Sequence, residues 1–167
     1  MSRRMKLVMI VIALAAVVLF MPAVAFAQKL VFIVRHAERA DAGMQAQTDP
    51  PLSAAGEARA QKLAAMLADA GVKDIFATQF KRTLDTAKPL ATKTGVAVEQ
   101  VGSTDTALLI AKIKSHPNEV VLVVGHSNTL PAILKALAGV DVAIADSEYD
   151  NLFVVVPETG TMTRIRY

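Results

Sequence analysis

Two of the most apolar runs in this 167-residue sequence each end in a histidine. KLVFIV, Lys29 to Val34, passes into Arg35-His36-Ala37-Glu38, and EVVLVVG, Glu119 to Gly125, passes into His126-Ser127-Asn128. A third run, Asp74 to Thr78, is followed four residues later by Arg82. Arginine presents a planar fork of donors that fits phosphate oxygens two at a time, and it keeps its charge near neutral pH. A neutral imidazole can attack phosphorus and carry the group as a covalent intermediate. A second, protonated imidazole can join the arginines in stabilising charge on the transferring oxygens. Arg35, His36, Arg82 and His126 are therefore candidate machinery for moving a phosphoryl group. Ser127 and Asn128 are placed to cap the next helix or to touch the phosphate, and the N–H groups of that helix end favour an anion. Each residue alone has a plainer reading: a histidine at a strand end can be a satisfied polar residue, and Arg35 can be an ordinary ion-pair partner. Recurrence after three separate runs sets the group apart. His116, in a Ser-His-Pro-Asn turn, has no such setting and reads as a loop residue.

These residues need a scaffold that brings the three run ends together. Lys29–Val34 and Glu119–His126 are continuous and β-branched, as strands buried on both faces are. Residues 41–52 are polar and small, with Asp41, Gly43, Asp49 and Pro50-Pro51, and read as a surface loop. Ser53 can cap a helix that runs on Ala58, Leu63, Met66 and Leu67 until Gly71. After the Asp74–Thr78 strand, a helix is predicted from Lys81 to Lys93, tolerating Pro89 and ending at Gly95. Val96–Val101 then reads as a strand, Asp105–Ser115 as a helix, Asn128–Leu137 as a helix ending at Gly139, and Leu152–Val156 with Met162–Arg166 as a hairpin. Strands alternating with helices predict an α/β fold: a three-layer αβα sandwich with a mostly parallel central sheet and an antiparallel C-terminal edge. Ligands of such sheets bind beyond the carboxyl ends of the strands, where these histidines lie.

The motifs together resemble the histidine phosphatase superfamily, the phosphoglycerate mutase-like fold. VFIVRHAE is similar to its Arg-His-Gly signature, and PLSAAGEARAQKLA (Pro51 to Ala64) to its Leu-Thr-x-x-Gly helix. TQFKRTLDTA (Thr78 to Ala87) is similar to its Ser-x-x-x-Arg-x-x-x-Thr-Ala segment, and VLVVGHSNTL (Val121 to Leu130) to its second histidine motif. The resemblance implies that His36 is the phosphorylated nucleophile, that Arg35 and Arg82 bind phosphoryl oxygens, and that His126 completes the pocket. It implies hydrolysis without a metal or an organic cofactor. Ala37 departs from the usual glycine by one methyl group, tolerable where φ is negative, and Thr78 stands where serine is common.

The acid that protonates the leaving oxygen is not obvious. Relatives supply a glutamate after the third strand; the stretch here offers Glu99 and Asp105, and Asp105 has a competing role as a helix cap. Glu38, two residues from the nucleophile, is the other candidate, unless it pairs with Arg39. A site without a dedicated acid gives an alternative of another class, a phosphate-binding or sensing protein with little turnover. A metal-dependent hydrolase using His36, His126 and a carboxylate as ligands is a third reading.

The whole chain carries 18 basic and 15 acidic residues, a formal charge of +3. That excess sits in Arg3, Arg4 and Lys6, ahead of an apolar run from Leu7 to Phe20 and a small-x-small site at Ala25-Phe26-Ala27, the three parts of a secretory signal. Residues 1–27 are expected to be a signal peptide and 28–167 one phosphatase domain, exported to the periplasm or beyond; an uncleaved Leu7–Ala27 anchor is the other reading and the one route to a membrane. Without the signal the charges balance, so nucleic acid is not an expected partner. No cysteine is present, so there are no disulfides. Only residues 41–52 and 139–151 could act as lids, which suits a broad or large substrate: a phosphorylated small molecule, glycolipid or protein side chain.

Overall fold

The computed structural model describes residues 29–40, 49–116 and 119–167; the expected signal peptide and residues 41–48 of the first lid lie outside the described residues. The elements run β1 (Leu30–Arg35), α1 (Ala54–Leu67), β2 (Val72–Ala77), α2 (Lys81–Thr94), β3 (Val98–Gln100), α3 (Thr106–Ser115), β4 (Val120–Gly125), α4 (Leu130–Ala138), β5 (Asn151–Val156) and β6 (Thr161–Arg166). No helix of the described residues is long and apolar enough to cross a membrane.

One six-stranded sheet is built in the order β3-β2-β4-β1-β5-β6. Strands β1 and β4 pair in parallel with Arg35 opposite Gly125, so the residues after both strands emerge side by side. Pairing of β2 with β4 is also parallel, as is pairing of β2 with β3. β5 returns antiparallel to β1 and is followed by antiparallel β6. The start of β5 therefore lies beside the end of β1, and the segment entering β5 crosses the edge where the histidines are.

Strand alternation divides the core in two. Val31, Ile33, Val121, Val123, Phe76 and Phe153 face α3 and α4, against Leu109, Ile113, Leu130, Ile133, Leu134 and Leu137. Phe32, Val34, Leu122, Val124, Ile75 and Leu152 face α1 and α2, against Leu63, Ala64, Leu67, Ala87 and Leu90. This is the αβα sandwich with an antiparallel edge that the periodicity predicted. Burying apolar residues on both faces anchors β1 and β4 rigidly, each fully buried Val, Leu or Ile contributing about 2 kcal/mol.

Several boundaries differ from expectation: β2 begins at Val72 rather than Asp74, α1 ends at Leu67 ahead of Gly71, and two further differences bear on the site. The strand expected over Val96–Val101 is only Val98–Gln100, because it is an edge strand whose sole partner β2 ends at Ala77; the Val101 N–H still reaches the Ala77 carbonyl at 2.9 Å. The helix expected from Asn128 begins at Leu130. Residues 127–129 form a turn instead, in which the N–H groups of Thr129 and Leu130 both donate to the His126 carbonyl at 3.0 Å.

Candidate active site

Parallel pairing delivers the two histidines to one cleft. Arg35, His36, Arg39, Arg82, His126, Ser127, Asn128, Asp146 and Tyr149 line a space of about 300 Å³ at the carboxyl edge of the sheet. The rings of His36 and His126 stand 5.3 Å apart, centroid to centroid. Both are buried, as is Arg35.

His36 Nδ1 lies 2.8 Å from the carbonyl oxygen of Ala37. A carbonyl only accepts, so Nδ1 carries the proton and Nε2 carries the lone pair. Burial, followed by the nearby His126, Arg35 and Arg82, lowers the His36 pKa to about 4, while the Ala37 carbonyl opposes that fall. At neutral pH the ring is therefore an uncharged imidazole of defined tautomer, chemically able to act as a nucleophile through Nε2. The Ala37 N–H is in turn held by Thr86 Oγ1 at 2.9 Å, which ties the loop after β1 to α2.

His126 is also lowered to about 4, by burial and then by Arg82 and Arg35, so the unliganded cleft holds it neutral. The protonated form invoked for it needs an anion in the cleft to offset the arginines. Its Nε2 lies 2.9 Å from Thr78 Oγ1, and Phe80 stands edge-on to its ring at 5.3 Å.

Arg35 reaches the segment before β5. Its NH1 group donates to the carbonyls of Ala145, Asp146 and Glu148 at 3.2, 2.8 and 3.3 Å. Its guanidinium carbon lies 4.0 Å from the centre of the Tyr149 ring, and Nε is buried without an acceptor among the described residues. Arg82 lies over Phe80 and 3.6 Å from Asp49 Oδ1. Asp49 accepts from the Lys81 N–H at 3.0 Å and so caps α2 in place of Phe80, which has no polar side chain to do so.

The acid candidates lie elsewhere. Glu38 is fastened to Arg59, whose Nε and NH2 donate to it at 2.7 to 3.0 Å, and this pairing holds its carboxyl below the usual range. An ionised carboxylate tied to α1 has no proton to give and does not line the cleft. Asp105 takes the cap position of α3, exposed and without a side-chain cap bond, and Glu99 pairs with Lys112 at 2.6 Å; neither lines the cleft. Ser127 and Asn128 do line it, but neither caps α4. Thr129 takes that position, with its Oγ1 accepting the His126 N–H at 3.2 Å.

Among the described residues, the group with metal-ligand spacing is not at the histidine pair. It is Asp74, His116 and Glu119, whose ligand atoms fall within 4.8 Å of one another near the amino ends of β2 and β4. His116 ends α3 there, beside Asp74 at 3.9 Å.

Sequence reasoning assigned no site role to Asp146, Tyr149 or Thr83, marked Arg39 only as a possible partner of Glu38, and marked Thr78 only as standing where serine is common. Residues 139–151 stood out only as a possible lid. The available signal was an aromatic flanked by acids (Glu148-Tyr149-Asp150) just upstream of an antiparallel strand that must start beside the end of β1.

Residues 31–103 match a family model described as the histidine phosphatase superfamily (branch 1). No curated protein matches the chain in sequence. Among solved structures, the fold is similar to mycobacterial glucosyl-3-phosphoglycerate phosphatase, with a TM-score of 0.63 and 16% identity over 83% of this chain and 97% of that one. It is also similar to the protein histidine phosphatase SixA complexed with tungstate, with a TM-score of 0.65 and 18% identity over 81% of this chain and 94% of that one.

Proposed function

We propose that this chain, which belongs to the histidine phosphatase superfamily, hydrolyses phosphate monoesters or phosphoramidates through a phosphohistidine formed on His36. One observation carries the reading: a neutral His36 with its Nδ1 tied to Ala37 shares a cleft with Arg35, Arg82 and His126. His36 Nε2 attacks phosphorus, the leaving group departs, and water then hydrolyses the phosphohistidine. Arg35 and Arg82 bind the equatorial oxygens, and the orphaned Arg35 Nε–H gains an acceptor when they do. The phosphoryl group also supplies the negative charge that lets His126 take a proton and join the arginines.

The open cleft suits a phosphorylated small molecule, an envelope glycolipid or a phosphorylated protein side chain, met after export through residues 1–27. Incubation with labelled substrate followed by alkaline denaturation should trap an acid-labile, alkali-stable adduct in wild type and none in His36→Ala. Full turnover by His36→Ala would overturn the mechanism. The second reading, a phosphate-binding protein with little turnover, is favoured by the placement of Glu38 and Asp105 outside the cleft. It predicts phosphate-dependent thermal stabilisation with no hydrolysis of any phosphorylated substrate.

A further inference from the structure

Resting on that phosphatase reading, we propose that Asp146 is the group that protonates the leaving oxygen. Of the described residues lining the cleft, it is the one carboxylate. Of the three acids that the sequence offered, Glu38 and Glu99 are paired elsewhere and Asp105 does not line the cleft.

Asp146 is presented by a braced turn. Its backbone carbonyl accepts from Arg35 at 2.8 Å, and the Glu148 N–H closes back on the Ala145 carbonyl at 3.0 Å. The Glu148 carboxylate accepts from the Ala145 N–H at 2.9 Å and is gripped by Arg164 and Arg166 at 2.8 and 2.6 Å. On the side chain, Oδ1 accepts from Ser127 Oγ at 2.8 Å and lies 3.8 Å from Arg35 NH2, while the side chain as a whole is 93% exposed. A carboxylate bonded through one oxygen, with the rest of the group open to the cleft, can hold a proton on the other.

The two steps balance. The His36 Nε2–P bond forms as the P–O bond to the leaving group breaks, and the Asp146 proton passes to the departing oxygen. Asp146, now ionised, takes a proton from the water that attacks phosphorus; the N–P bond breaks, and inorganic phosphate and neutral His36 are released. Ser127 orients the carboxylate in both steps and exchanges no proton.

The test is the dependence of phosphohistidine formation on the leaving group, measured for the full chain in single turnovers. Substrates are an alkyl phosphate, phenyl phosphate, nitrophenyl phosphate and a phosphoramidate. Asp146→Asn keeps an acceptor for Ser127 but cannot donate a carboxyl proton. It should lose about 10²-fold or more with the alkyl phosphate and change little with nitrophenyl phosphate, whose leaving group needs no proton. An equal loss across all four substrates, or no loss, in an enzyme that still forms the His36 adduct would overturn this inference alone. Absence of turnover and adduct in wild type would overturn the phosphatase reading and this one with it.

Discussion

Thr78 Oγ1 lies 2.9 Å from His126 Nε2 and 2.9 Å from Thr83 Oγ1. The Thr83 hydroxyl has one proton and faces backbone carbonyls, Phe80 at 2.7 Å and Thr78 at 3.0 Å. With that proton spent on a carbonyl, Thr83 Oγ1 accepts from Thr78, and Thr78 accepts from the Nε2–H of His126. The relay fixes the tautomer of a histidine that has no carboxylate partner among the described residues, and it leaves Nδ1 as the other ring nitrogen.

Thr78→Val keeps the shape and removes the hydroxyl, leaving the buried Nε2–H without an acceptor. The cost of such a loss is about 1–3 kcal/mol, so kcat should fall roughly 5- to 150-fold if the wrong tautomer then competes. Thr78→Ser should recover most of the rate. Steady-state kinetics of the two variants decide it: unchanged kcat in Thr78→Val would show that the relay does not position His126.

The two histidines tie stability to pH with a defined sign. Both have folded pKa values near 4, below the ordinary 6.5. Between those values the unfolded chain binds more protons than the native one, so stability rises with pH across that window and levels off above it. Urea midpoints should therefore climb from about pH 4 to about pH 6.5, and His126→Asn should flatten part of the slope. Phosphate should oppose the trend, because an anion in the cleft favours the charged imidazole. Calorimetry near pH 5.5 in two buffers of different ionisation enthalpy should detect proton uptake on binding.

The histidine end of the cleft was legible because local pattern and topology agree there. Two runs buried on both faces can only be inner parallel strands, and such strands deliver whatever follows them to a common edge, so Arg35, His36 and His126 followed from sequence. Asp146 and Tyr149 did not, because they lie in a segment without periodicity and meet Arg35 across more than 100 residues of chain. Glu38 misled for a related reason. Proximity to His36 in sequence suggested chemistry, but its carboxylate turns toward Arg59, which is 21 residues away and invisible to local pattern.

That pairing should prove separable from turnover. Arg59 also donates to the carbonyl of Tyr167 at 2.8 Å, joining the loop after β1, α1 and the chain end. Both partners are about three-quarters buried, so Glu38→Gln should cost about 1–2 kcal/mol in denaturant midpoint while leaving the leaving-group dependence and the pH–rate profile in place. A selective loss with poor leaving groups in Glu38→Gln would instead return Glu38 to the acid role.

Gly56 controls how closely α1 approaches the loop after β1. A methyl group added there would collide with the Glu38 carbonyl oxygen and stand 3.0 Å from the Glu38 backbone nitrogen. The obstacle is backbone and cannot rotate away. The same carbonyl accepts the Ser53 N–H at 2.9 Å, and Ser53 Oγ caps α1 through the Gly56 N–H at 3.1 Å, so any retreat disturbs the helix start. Helix propensity alone would favour alanine by about 1 kcal/mol, whereas overpacking costs about 1–3 kcal/mol and acts two residues from His36. Gly56→Ala should therefore lower Tm, and a shift of the loop by an ångström should lower kcat by about 10²-fold. A higher Tm with unchanged kcat would mean that α1 does not set the position of His36.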